Sequence, residues 1–142
     1  MSVRGVLLDT SAWIAFLSPT GHDVLKSDVR AALGEERVST CAVVRAELLI
    51  GARDGKAYRK LDELLRSLED SPIDGGVWSR AAALGFAIRR KGLSVPLTVL
   101  VIAEACRSRD LELWHVDAHY EAIRGHVELA SRSYLRPLGR GR

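Results

Sequence analysis

Two kinds of hydrophobic patterning alternate along the chain. Short apolar segments bounded by turn or capping residues occur at "VRGVLL" (3–8), "RVST" (37–40) and "LELWHV" (111–116), as in strands buried on both faces. Between them, apolar positions recur every three or four residues, the period of a helix with one buried face. "SAWIAFL" and "HDVLKSDVRAAL" are the first two such segments, the second with Val24, Leu25, Val29 and Leu33 on one face. "AVVRAELLIGAR" follows "RVST", with Ser39 or Thr40 placed to cap it, and "AYRKLDELLRSL" carries Leu61, Leu64, Leu65 and Leu68 on one side. After the glycine pair at 75 and 76, Val77, Ala81, Leu84 and Ile88 share a face until Gly92 stops the helix. "TVLVIAEACRSR" is apolar on most sides and must be packed deep, and "VELAS" at 127–131 reads as an edge strand. Strands that alternate with helices build parallel βαβ units. The expected fold is α/β: a three-layer α/β/α domain around a central, mostly parallel sheet of four or five strands.

Composition narrows the class without changing that picture. The 142 residues are 47% hydrophobic and 27% charged, the balance of an ordinary globular domain. No apolar run approaches the roughly 20 residues of a membrane span, and no secretory leader pattern opens the chain. A cytoplasmic protein without membrane contact is expected. Cys41 and Cys106 sit in apolar segments and read as buried reduced thiols. The net charge of +3 is modest, with basic clusters at 89–91, at 107–109 and in the last eleven residues (Arg132, Arg136, Arg140, Arg142). They suit phosphate contacts, and equally suit helix C-termini and a solvated tail.

Candidate chemistry lies where strands end. Asp9 follows the first strand and Asp117 the third, and in an open parallel sheet ligands bind beyond the carboxyl ends of the strands. Two carboxylates brought to one sheet edge repel unless a cation or proton lies between them, and oxygen donors suit Mg²⁺ or Mn²⁺. Either acid alone is also a good helix cap. Glu47 is an isolated charge in an otherwise apolar helix, so it needs a metal or a cation such as Arg45 or Arg53.

"LLDTSAWIAFL", "RAELLIGA", "VPLTVLVIAEA" and "HVDAHYEAI", in this order and spacing, resemble PIN-domain proteins, and the chain looks like a VapC-type toxin ribonuclease of a bacterial toxin–antitoxin pair. The resemblance implies a PIN domain over residues 1–131, followed by a basic tail at 132–142. It implies a Mg²⁺- or Mn²⁺-dependent endoribonuclease acting on structured RNA such as tRNA or rRNA loops. It also implies a homodimer and a hetero-oligomer with a VapB-type antitoxin, whose C-terminal segment covers the site. Carried over by position, Asp9 is the first acid, Glu47 the second and Asp117 the fourth, with Ser11 bracing Asp9. Asp9 and Asp117 would hold the metal while Glu47 activates water. The third acid should open the helix at "PLTV", where the family reads "PLTD"; this chain has Val99.

Valine nearly matches aspartate in volume, so the helix still packs, but the carboxylate chemistry is gone. Glu104 lies about 140° further round the helix and points elsewhere. The expectation is therefore a weakened or inactive nuclease, the alternative being a catalytically silent PIN-fold module that binds RNA or antitoxin. A phosphatase using Asp9 as nucleophile needs a second acid two residues on, where Ser11 stands. Trp13, Trp78 and Trp114 are read as core rather than base-stacking platforms, and His119, which with His115 flanks Asp117, as a surface residue. Trp13, Phe16 and Leu17 are the candidates for an antitoxin groove.

Overall fold

β1 (Val6–Leu8) is buried on both faces, and the rest of the sheet is laid down on either side of it. In the computed structural model, which describes residues 4–135, β1 pairs in parallel with β2 (Val38–Thr40) on one side and β4 (Glu112–His115) on the other. β3 (Glu69–Asp70) extends the sheet beyond β2, and β5 (Ser131–Ser133) beyond β4. The order β3-β2-β1-β4-β5 is parallel throughout. The direction of winding thus reverses at β1, and the switch opens a crevice at the carboxyl ends of β1 and β4. Helices flank the sheet, as expected of a three-layer α/β/α fold. The register Val6–Glu112, Leu7–Leu113, Leu8–Trp114 sets the residues after Leu8 beside those after Trp114.

Each helix has a local cause. Asp9 caps α1 (Thr10–Leu17), Asp54 caps α4 (Gly55–Arg66) and Asp74 caps α5 (Gly75–Arg90), each carboxylate accepting from an early backbone N–H. α2 spans Asp23–Gly34, α3 Ala42–Ile50, α6 Leu97–Ser108 and α7 His119–Arg124. α5 and α6 pack against each other along most of their length, and a Cβ at Gly85 would meet Leu100 Cδ1 at 2.7 Å, so any side chain there would displace the Leu100 side chain. Gly92 ends the α5 region at φ +84°, which favours glycine. Every residue from Val99 to Cys106 is buried, as the apolar pattern of that segment requires. No helix among the described residues is long and apolar enough to cross a membrane.

Several details differ from the sequence reading. Val24 is 70% exposed, and α2 instead turns Leu25, Val29 and Ala32 inward. The residue before α3 is Cys41, with no side-chain cap, because Ser39 and Thr40 pair with β3. The edge strand lies at Ser131–Ser133 rather than 127–131, since Leu129 turns into the core before the sheet is rejoined. Arg132 belongs to that strand: its guanidinium lies over the Trp114 ring at 5.0 Å and pairs with Asp28 and Glu112. Arg136, Arg140 and Arg142 lie outside the described residues. Trp13 and Trp114 are core, but Trp78 is half exposed.

Away from the crevice, Glu104 is buried and accepts both oxygens' worth of pairing from Arg107 at 2.8 Å, with Arg80 at 3.4 Å. Arg107 also donates to the Glu128 carbonyl. Glu104 thus points elsewhere than the strand-end acids, as its helical offset predicts. Removing the closer arginine strands a buried carboxylate, a change that typically costs roughly 3–5 kcal/mol. Arg80 stays within reach, so Arg107→Ala is expected to lower stability by about 2–3 kcal/mol in urea unfolding. Both cysteines are buried and free. Burial raises the Cys41 thiol and pushes Cys106 up to about 12. Neither should react with iodoacetamide in the native protein at pH 8, while both label after denaturation.

Candidate active site

The crevice at the β1/β4 switch is organised by three consecutive residues, Asp9, Thr10 and Ser11. Asp9 follows β1 and is 3% exposed, its N–H donating to the Trp114 carbonyl at 3.0 Å. Its Oδ2 accepts from the Ser11 N–H at 3.0 Å and from Ser11 Oγ at 2.5 Å. The same Ser11 hydroxyl accepts from the Val116 N–H at 2.9 Å. One hydroxyl therefore ties the acid after β1 to the segment leading into Asp117. Ser11 thus braces Asp9 through both its N–H and its hydroxyl.

Thr10 serves the second acid. Its hydroxyl donates to Glu47 Oε1 at 2.6 Å. Neither Arg45 nor Arg53 partners Glu47, contrary to one branch of the sequence reading: Arg45 pairs with Asp70, and Arg53 lies 3.9 Å from Asp54. Glu47 is only half-buried, so a neutral hydroxyl and water suffice where a fully buried carboxylate would need a cation.

Asp117 stands two residues beyond β4. Its Oδ1 accepts from the His119 N–H at 2.9 Å and lies 2.8 Å from His119 Nδ1. His119 is about half exposed, as expected of a surface residue. His115 is not: it is fully buried, and burial lowers its pKa despite the opposing charge of Asp9. Its Nδ1 accepts from the Asp117 N–H at 3.2 Å, which leaves the proton on Nε2.

The sequence reading gave Tyr120 no role. It lies three residues after Asp117, so α7 turns it inward, and its hydroxyl donates to Asp9 Oδ1 at 2.5 Å. Its ring is fully buried and lies 4.7 Å from the His115 ring, tilted by 40°. Burial, reinforced by the nearby Asp9 charge and the hydrogen bond itself, pushes its pKa well above the ordinary tyrosine value, so it remains a donor. The only signal in the sequence was a polar aromatic one helical turn after an acid, which by itself resembles any core tyrosine.

Val99 lies in the first turn of α6 and is 8% exposed, packed with the core. Among the described residues no group of three or more His, Cys, Asp or Glu side chains is placed to hold a metal ion. The donors present are hard carboxylate oxygens, and Asp9 has accepted three hydrogen bonds out of about four lone-pair sites. Hard oxygen donors of this number suit a divalent cation that takes one or two carboxylates and keeps waters, rather than a dehydrated site.

The PIN domain family model matches residues 6–125. Over 133 residues the chain is 31% identical to ribonuclease VapC11 of Mycobacterium tuberculosis, covering 91% of this chain and 98% of that one. Among solved structures, the VapBC2 complex of Rickettsia felis, bound to a DNA fragment from its promoter, matches with TM-score 0.73 at 18% identity. That match covers 91% of this chain and 98% of that chain. VapC20 of M. tuberculosis, a toxin that cleaves the sarcin–ricin loop, matches with TM-score 0.63 at 17% identity over 89% of this chain and 99% of that chain. The two structural likenesses speak for the fold alone, while the family model and the sequence identity extend over most of the chain: it belongs to the PIN-domain family, in its VapC branch.

Proposed function

We propose that this protein is the toxin of a toxin–antitoxin pair, a ribonuclease that uses a divalent metal, Mg²⁺ or Mn²⁺, to cut RNA. The observation that carries the reading is the Ser11 hydroxyl, which joins Asp9 Oδ2 to the Val116 N–H and so couples two acid-bearing strand ends across the switch point. A structural cap needs only the bond to its own helix; the second bond, 105 residues away in sequence, serves the pair.

In this reading Asp9 and Asp117 hold the metal and Glu47, steadied by Thr10, orients and deprotonates the attacking water. The bound cation supplies charge stabilisation at the scissile phosphate and acidifies a water. Glu47 is suited to its part because its partner is a neutral donor, which leaves a lone pair free on each carboxylate oxygen. The substrate class is a looped RNA, whose unstacked strand lets a phosphate reach a crevice. The partner is an antitoxin of the kind found in VapBC complexes. Its apolar segment covers Ile14 and Leu17, which α1 exposes at 61% and 50%, whereas Trp13 is fully buried and Phe16 is partly buried against the core.

Val99 supports a second reading. With an isopropyl group in the first turn of α6, the crevice lacks the acid that the family pattern puts there, and the chain as it stands is a feeble nuclease or a silent binding module. The discriminating experiment is cleavage of a looped RNA with Mg²⁺, Mn²⁺ or EDTA. Val99→Asp is expected to raise metal-dependent cleavage about tenfold or more, on the scale of a lost or regained metal partner, and Asp9→Asn in that background to abolish it. Equal cleavage by both parents would remove Val99 from the site. The partner assignment is checked separately: Ile14→Glu with Leu17→Glu should weaken the antitoxin complex roughly a hundredfold in calorimetry, as two buried apolar anchors are replaced by charges.

A further inference from the structure

The carboxylate of Asp9 is held from two directions of different origin. Ser11 binds Oδ2 through its N–H and its hydroxyl, a local arrangement that comes with the start of α1. Tyr120 binds Oδ1 from 111 residues away, from a helix on the far side of β4. A carboxylate fixed at one oxygen can still swing about its Cβ–Cγ bond, because that torsion is broad. Donors at both oxygens stop the swing. Of about four lone-pair sites, the two on Oδ2 and one on Oδ1 are taken, so a single lone pair on Oδ1 is left, with its direction set by the phenol.

Tyr120 has no freedom to be elsewhere. Its ring is fully buried and packs on His115, whose own Nδ1 accepts from the Asp117 N–H. The ring is thus fixed by the same stretch of chain that carries Asp117. A phenylalanine would fill this volume equally well, so core packing alone does not call for the hydroxyl.

We propose that Tyr120 is a positioning residue for the metal: its hydroxyl orients Asp9 so that the one remaining Oδ1 lone pair is presented to a divalent cation in a fixed direction. The proposal rests on the metal-dependent reading of the crevice. It assigns Tyr120 no contact with substrate or with reacting atoms. Hydrogen-bond partners that orient a ligating carboxylate are worth roughly 10–100-fold in metal affinity, and Tyr120 is placed to act in that way.

The test is Mn²⁺ binding by calorimetry in the Val99→Asp protein, with and without Tyr120→Phe. Tyr134→Phe serves as control, because the Tyr134 hydroxyl donates to Asp28 at 2.7 Å, away from the acids. Tyr120→Phe is expected to weaken Mn²⁺ binding about tenfold or more, while Tyr134→Phe leaves it unchanged even if both variants melt at lower temperature. A lower melting temperature for Tyr120→Phe with unchanged Mn²⁺ affinity overturns the proposal and leaves the metal reading intact. If the Val99→Asp parent itself binds no Mn²⁺, both fall together. A readout without any change at 120 is the Tyr120 ring resonance during Mg²⁺ titration of the Val99→Asp protein. It should move with the same midpoint as calorimetry of the same protein with Mg²⁺, and a resonance that stays still while Mg²⁺ binds also overturns the proposal.

Discussion

Burying the carboxylate of Asp9 is the constraint around which the rest of the structure is arranged. A carboxylate at 3% exposure is strongly unfavourable unless its lone pairs are met. Three donors meet them, and each dictates a larger feature. The Ser11 N–H requires α1 to begin at Thr10, directly after β1. The Ser11 hydroxyl, engaged by the Val116 N–H, requires β4 to lie next to β1. The Tyr120 hydroxyl requires α7 to turn back beneath the strand ends. Strand order, the start of one helix and the direction of another thus converge on one buried charge.

Glu104 makes the meaning of this clear by contrast. It is buried to the same degree, but its partners are two arginines. Its charge is consumed by theirs, and the cluster is a structural joint between α5, α6 and the chain near Glu128. Asp9, Glu47 and their hydroxyl partners are different: every donor on them is neutral. Neutral donors make burial tolerable without cancelling the field, so the negative potential of the crevice remains available to a cation. Partner type, more than depth, separates an acid that builds the fold from one that can work.

The elements legible in the sequence are those with a strong one-sided or two-sided apolar signal. β1, β4, α5 and α6 are of this kind, because burial dictates their composition. β3 is two exposed acidic residues, Glu69 and Asp70, joined to the sheet by backbone pairing with β2 and to α3 by the Arg45–Asp70 ion pair, so no apolar side chain announces a strand. β5 reads "SRS" for the same reason: an edge strand with one partner needs little apolar character. Val24 misled because periodicity fixes a face only to within a residue or so, and Trp78 because a tryptophan is apolar enough to mimic core while half exposed. At the site, Asp9 and Asp117 were legible because acids at strand ends break an apolar run. Tyr120 was not, since a tyrosine on the inner face of a short helix looks the same whether its hydroxyl is idle or bound to a carboxylate across the fold.

The adjacency of Thr10 and Ser11 has a mechanical side. Neighbouring hydroxyls in the first turn of α1 grip acids from two separate elements, Asp9 after β1 and Glu47 in α3. The helix end works as a yoke: one turn of α1 sets those two carboxylates relative to each other, and the Ser11 bond to the Val116 N–H ties that setting to the chain leading into Asp117. The outer face of the same helix exposes Ile14 and Leu17, one and two turns from the yoke. The same eight-residue helix therefore carries an exposed apolar face at one end and, at the other, the two hydroxyls that hold the acids.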